Sequence, residues 1–164
     1  MNICVVSDTH LQNDLSLLPA ESIAIMQKAD LLIHCGDIVS NYSYEYFRGL
    51  NKYFVAVQGN WDYDLPFLPL KELLQIEDLK IGIVHGHIRL NKKASLTTEL
   101  NVISMFAGLT PDMIFFGHTH QITDKVYGKV RLINPGSLVE GKRSLICINI
   151  EKGEKTTVEV KRFD

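Results

Sequence analysis

The 164-residue sequence predicts an α/β chain of two packed sheets with helices on their outer faces. Three observations lead there. Over the first third, short apolar runs alternate with amphipathic stretches at spacings that suit a parallel sheet with right-handed crossovers. The later part turns to closely spaced strand-like runs separated by Gly-bearing hairpin turns. Clusters of Asp, Asn and His also come after one apolar run after another, at the strand edge where open α/β sheets bind ligands.

Residues 2–7 (NICVVS) read as a buried strand and residues 20–29 as a helix, with Ile23, Ala24 and Met26 between polar positions. Residues 31–35 (LLIHC) form a second strand, too short for a helix. A helix over 43–51 and a third strand over 52–57 complete a βαβαβ run. Pro66 and Pro69 then break the pattern. Strands are predicted at 73–77 and 80–84, a helix at about 93–107 and a strand at 112–116. The remaining strand-like runs are 122–127, 130–134, 144–150 and 154–160, with turns at Tyr127-Gly128-Lys129 and Glu151-Lys152-Gly153. The absence of a linker, repeat or low-complexity segment predicts one domain over residues 1–164.

Composition narrows the function classes. Apolar residues make up 46% and charged residues 22%, with a net charge of −2, so no broad basic surface argues for a stable nucleic-acid complex. No apolar run approaches the roughly 18–20 residues of a spanning helix, and no signal peptide is visible after Met1. A cytoplasmic protein without a membrane partner is the expectation. The three cysteines, Cys4, Cys35 and Cys147, lie in apolar runs without a C-x-x-C pair, which predicts buried thiols.

The chemistry lies at the strand ends. Ser7-Asp8-Thr9-His10 ends the first strand and Gly36-Asp37 the second. Gly59-Asn60-Trp61-Asp62 comes after the third, His85-Gly86-His87 after the run 81–84, and Gly117-His118-Thr119-His120 after the run 113–116. Singly, each is weak: a lone D-x-H is more often a turn, and a lone H-x-H more often structural. Five such clusters at five strand ends are hard to explain as turns. Imidazole and carboxylate together suit first-row divalent metals. Residues i and i+2 of an extended segment share a side, so Asp8 and His10 can reach one ion. His118 and His120 can converge likewise, or a tight turn can send them to different ions. Two close cations need a bridging carboxylate, and Asp37 is the natural one.

The ordered set D-x-H, G-D, G-N-x-D, H-G-H and G-H-T-H resembles the calcineurin-like metallophosphoesterase superfamily. The short length and Asn134-Pro135-Gly136-Ser137 resemble its small YfcE-like phosphodiesterase branch. The resemblance runs from about residue 2 to residue 148. It implies a four-layer α/β/β/α sandwich of two mixed sheets. It also implies two divalent cations, with manganese typical and iron, nickel or zinc able to substitute. The first cation would take Asp8, His10, Asp37 and His120, and the second Asp37, Asn60, His85 and His118. The implied reaction is hydrolysis of a P–O bond by a hydroxide bridging cations about 3.5–4 Å apart. The implied substrate is a phosphate-ester small molecule or a nucleotide, and the implied assembly a homodimer or homotetramer. Asn60, His87 and His118 are the residues expected to act on substrate. Many superfamily members carry a histidine directly after the metal-binding asparagine, where it protonates the leaving oxygen; here that position is Trp61.

Other residues carry open alternatives. His87 lines the site and protonates a leaving group, or supports a loop. His34, inside a strand, reads first as a structural histidine. Asn134 and Ser137 are explained equally by turn chemistry and by proximity to metals. Arg89 and Arg143 grip a phosphate or face solvent. Trp61 stacks on a base or aryl group, or caps the core. Lys92 and Lys93 open a helix. Asp62 and backbone carbonyls are the expected orienting partners of the histidines. A phosphomonoesterase or nucleotide phosphatase is the nearest alternative activity. A non-catalytic scaffold of the same fold, like the retromer subunit, is the alternative from another class. It would have lost ligands, whereas all seven positions here hold metal-competent residues. No Gly-rich loop comes after the first strand, which excludes a dinucleotide-binding module.

Overall fold

A computed structural model describes residues 1–88 and 97–164. Ten strands and three α-helices run through the described residues: β1 (Asn2–Val6), α1 (Ala20–Lys28), β2 (Leu31–His34), α2 (Asn41–Leu50), β3 (Phe54–Ala56), β4 (Lys71–Ile76), β5 (Leu79–Val84), α3 (Thr98–Met105), β6 (Met113–Phe115), β7 (Ile122–Tyr127), β8 (Val130–Pro135), β9 (Ser144–Asn149) and β10 (Thr157–Arg162). A short 3-10 turn at Leu15–Leu17, which periodicity does not reveal, precedes α1.

The strands form two five-stranded mixed sheets, β10-β9-β1-β2-β3 and β4-β5-β6-β8-β7. In the first, β1, β2 and β3 are parallel while β9 and β10 run antiparallel. In the second, β5, β6 and β8 are parallel, with antiparallel β4 and β7 on the two edges.

Strand alternation builds the layers. Ile3 and Val5 of β1 point into a cluster that also holds Ile81 and Ile83 of β5 and Phe115 of β6, which glues the sheets face to face. Cys4 and Val6 point the other way, onto Met26 of α1 and Phe47 of α2. On the far side, Val102 and Met105 of α3 pack against Val84, Ile114 and Leu132. The result is the expected α/β/β/α stack. Since β1 is covered on both faces, residues 3–6 are all buried and read as a continuous apolar run rather than an alternating one.

Some boundaries shift. α2 begins at Asn41 because the Ser40 hydroxyl accepts the Ser43 N–H and caps it. α3 begins at Thr98 with Thr97 as its cap; the predicted start at 93–96, like Arg89, Lys92 and Lys93, lies outside the described residues. β10 begins at Thr157 rather than 154, because the Glu154 N–H closes a turn onto the Glu151 carbonyl and Thr157 is the first partner of Asn149. No helix among the described residues is long and apolar enough to cross a membrane.

Candidate metal centre

The sheet order brings five strand ends to one place. The loops after β1, β2 and β3 on one sheet meet those after β5 and β6 on the other. Backbone bonds lock the first two loops together: Asp8 N–H donates to the Gly36 carbonyl at 3.0 Å and His10 N–H to the Asp37 carbonyl at 3.0 Å. Eight non-glycine residues in the described chain have positive φ, and five are predicted ligands: Asp8 (51°), His10 (48°), Asp37 (59°), His118 (70°) and His120 (55°). Left-handed backbone costs such residues of order 1 kcal/mol or more each, and persists where the surroundings over-determine it. Asp8 and His10 therefore converge, but not through the extended segment that i, i+2 spacing implied. A tight turn closed by Thr119 N–H on the Gly117 carbonyl (2.8 Å) sends His118 and His120 to different partners.

Two glycines give the loops room. A Cβ on Gly59 would lie 2.8 Å from Asp37 Cγ, and one on Gly117 would lie 2.7 Å from Asp8 Oδ2 and collide with Ser7 Oγ.

Seven side chains face one another. His120 Nε2 lies 3.2 Å from Asp8 Oδ1 and 3.3 Å from His10 Nε2. Asp37 Oδ2 lies 3.3 Å from His85 Nε2 and 3.6 Å from His10 Nε2. Asn60 Oδ1 lies 3.1 Å from His85 Nε2 and 3.0 Å from His118 Nδ1. Asp8 Oδ1 is also 3.9 Å from His85 Nε2. Two groups of ligand atoms emerge, Asp8–His10–His120 and Asp8–Asp37–His85, with Asp8 common to both, while Asp37 Oδ2 lies near His85 and His10. The Asp37 Oδ1 atom is taken by the Trp61 N–H (2.9 Å), which leaves Oδ2 facing the imidazoles.

Acceptor atoms are turned on acceptor atoms here. The His85 Nδ1–H donates to the Cys35 carbonyl (2.8 Å), so Nε2 presents a lone pair to the oxygens of Asn60 and Asp37. Only a cation or a proton reconciles such a set. Four imidazoles, two carboxylates and an amide oxygen fit a first-row divalent ion, with backbone and carboxylate partners behind the rings.

Without a metal, protons respond to the same field. Burial drives His85 down, but the Asp37 hydrogen bond and the charges of Asp8 and Asp37 win and raise it. The Asp8 hydrogen bond raises His120. Burial would lift Asp37, yet its bond to His85, that residue's charge and the Trp61 N–H hold it below the carboxylate range. Burial and neighbouring His85 lower His118, and the same two causes with His118 push His87 down to about 4. The His87 ring lies 5.4 Å from that of His85 and 6.4 Å from that of His118, and its Nδ1 is buried without a partner among the described residues.

The remaining expectations separate. Asp62, expected behind the histidines, instead holds backbone: it is buried and accepts the N–H groups of Asp37 (2.9 Å), Val39 (2.7 Å) and Gly59 (2.7 Å). His34 is structural. Gly36 N–H donates to its Nδ1 (3.2 Å), so Nε2–H donates to the Thr9 hydroxyl (3.1 Å), and burial pushes its pKa down to about 3. Asn134 donates to the Gly117 carbonyl (2.8 Å) and the Thr119 hydroxyl (3.1 Å), and Ser137 donates to the Asp8 carbonyl (2.7 Å), so both brace the loops that carry ligands. Arg143 turns its guanidinium to the Asp164 carbonyl (2.6 Å). Trp61 is 55% exposed and does not cap the core; its ring meets His10 edge-on at 6.1 Å. Trp61 lines an open pocket of about 430 Å³ with His10, Gln12, Val39, His120 and Glu140. Glu140 carries no motif signal, yet its carboxylate lies 3.1 Å from His120 Nδ1.

Similarity to known proteins extends over most of the chain. Residues 1–153 match the family described as Calcineurin-like phosphoesterase superfamily domain. A probable metallophosphoesterase of Methanocaldococcus jannaschii is 37% identical over 137 residues, covering 84% of this chain and 68% of its own. A phosphodiesterase of the same organism is 30% identical over 170 residues, covering 94% and 95%. The crystal structure of Vps29 from Chaetomium thermophilum covers 99% of this chain and 96% of its own with a TM-score of 0.78; at 17% identity that likeness shows the fold alone.

Proposed function

We propose that this chain, which belongs to the calcineurin-like phosphoesterase superfamily, is a dinuclear metal-dependent phosphodiesterase. The observation that carries the proposal is the inward-facing set of Asp8, His10, Asp37, Asn60, His85, His118 and His120, whose acceptor atoms oppose one another at 3.0–3.9 Å. Asp8, His10, Asp37 and His120 are assigned to one ion and Asp37, Asn60, His85 and His118 to the other. Divalent cations, manganese foremost and iron, nickel or zinc as substitutes, would supply Lewis acidity and lower the pKa of water.

The protein's own contribution is placement. Trp61 N–H holds Asp37 Oδ1 and the Cys35 carbonyl holds His85 Nδ1, so one defined atom of each faces inward. Asp62 fixes the backbone from which Asp37 and Asn60 project. Asn60 and His118 are read as contacts to a phosphoryl oxygen, and His87 as a neutral ring lining the site rather than a charged acid, given its lowered pKa of about 4. Trp61, exposed beside His10, provides a face for an aryl or base substituent.

The relative named as a phosphodiesterase supports a diester over a monoester. A single domain over residues 1–164, a cytoplasmic location and a homodimer or homotetramer complete the reading. A panel of bis-aryl, mono-aryl and cyclic-nucleotide substrates with Mn2+ tests it. Faster turnover of the bis-aryl diester is expected. Preference for the mono-aryl ester would make the protein a phosphomonoesterase, and failure to bind Mn2+ by elemental analysis would favour a scaffold.

A further inference from the structure

We infer that Glu140 is a positioning residue of the metal centre, engaging His120 Nδ1 and so keeping His120 Nε2 turned toward Asp8 and His10. The inference rests on the metal-centre reading above and assigns a role to a residue outside every ligand motif.

His120 is the problem the fold has to solve. Its side chain is 34% exposed, against 0% for His85 and 18% for His10. A ring open to solvent is not held by packing, and an imidazole can rotate by half a turn into either orientation. His85 is held by the Cys35 carbonyl. Among the described residues the partner of His120 Nδ1 is Glu140 Oε2, at 3.1 Å. With Nδ1 engaged there, Nε2 is the ring atom turned inward, 3.2 Å from Asp8 Oδ1 and 3.3 Å from His10 Nε2. A carboxylate behind a ligating histidine fixes its tautomer and raises its basicity.

Glu140 is itself tied to the centre. Its N–H donates to Ser137 Oγ at 2.9 Å, and the Ser137 hydroxyl donates to the Asp8 carbonyl at 2.7 Å. The residue that orients one ligand is thus anchored on the backbone of another, across a loop between β8 and β9 that touches neither motif in sequence. Breaking the carboxylate contact leaves the anchor in place, because the anchor uses only backbone N–H and Ser137.

The test reads orientation and affinity separately. In the Zn2+-loaded protein, long-range 1H–15N spectra should show His120 bound through Nε2 and protonated on Nδ1. Glu140→Ala should mix Nε2-bound and Nδ1-bound forms of His120 and weaken calorimetric Mn2+ binding at one of two sites by about 10- to 100-fold. Glu140→Gln keeps an acceptor and should recover most of both signals. Wild-type Mn2+ affinity in Glu140→Ala, an Nδ1-bound His120 in the Zn2+-loaded parent protein, or a Gln variant as weak as Ala would each overturn the inference. Ring ligation and Mn2+ affinity are both read without substrate, so their failure is separable from failure of the phosphodiesterase reading.

Discussion

The Asp62 carboxylate accepts the backbone N–H of Asp37 at 2.9 Å. The same oxygen accepts Gly59 N–H at 2.7 Å, and its twin accepts Val39 N–H at 2.7 Å. One buried side chain therefore joins the loop after β2 to the loop after β3, and those loops carry Asp37 and Asn60. In sequence the position reads as an orienting partner of the histidines, but its work is done on backbone.

Asp62→Ala strands three N–H groups, two of them in buried bonds, each worth about 1–3 kcal/mol when left unsatisfied. Partial relaxation should leave a loss of roughly 2–4 kcal/mol, read by urea denaturation of the metal-free protein. Asp62→Asn retains one acceptor and should lose less. Unchanged stability in the alanine variant would show that water replaces the carboxylate.

Asp37→Asn should lower Mn2+ occupancy and turnover by at least about 100-fold, the upper range for even an outer partner of a ligand. Asp8 also lies within reach of both ligand groups, so Asp8→Asn is the control. Near-normal turnover in Asp37→Asn with collapse in Asp8→Asn would move the bridge to Asp8.

His34 sets an acid limit on stability. Its folded pKa is pushed from 6.5 down to about 3 by burial, so the unfolded chain takes up a proton that the folded chain refuses. Stability from this group is full above about pH 6.5 and is lost as pH falls toward 3, with a limiting slope of about 1.4 kcal/mol per pH unit. Denaturant midpoints measured from pH 7 to pH 4 should fall, and His34→Gln should make that fall shallower. An unchanged slope in the variant would place the acid sensitivity elsewhere.

Trp61 occupies the position of a leaving-group acid in other superfamily members. Bis-aryl phosphates should turn over well and alkyl diesters slowly, with log kcat falling as leaving-group pKa rises. A flat dependence would reveal a proton donor after all. Trp61→Ala should raise KM for the aryl diester by roughly 2- to 10-fold, the scale of one aromatic contact, with less effect on small alkyl diesters.

Much of this was legible in order and residue type. The run from Ile3 to Val6 announced a strand covered on both sides, and the Tyr127-Gly128-Lys129 turn announced the β7–β8 hairpin, because both are short-range consequences of side-chain period and glycine freedom. The seven predicted ligand positions likewise meet at one strand edge. Conformation at those positions was not legible: Asp8, His10 and Asp37 take left-handed backbone that their residue types do not advertise, and the i, i+2 argument reached the right convergence through the wrong geometry.

By itself the sequence determined which elements form and which side chains end each strand, since these depend on neighbours a few residues away. Tertiary structure alone decided what stands behind them. β9 returns to pair with β1, so Ser137 reaches Asp8 across 129 positions and Glu140 comes up against His120. The Cys35 carbonyl meets His85 across 50 positions. Such contacts arise from the order of strands in the two sheets, which burial of both faces selects for the whole chain at once, and no local pattern encodes it.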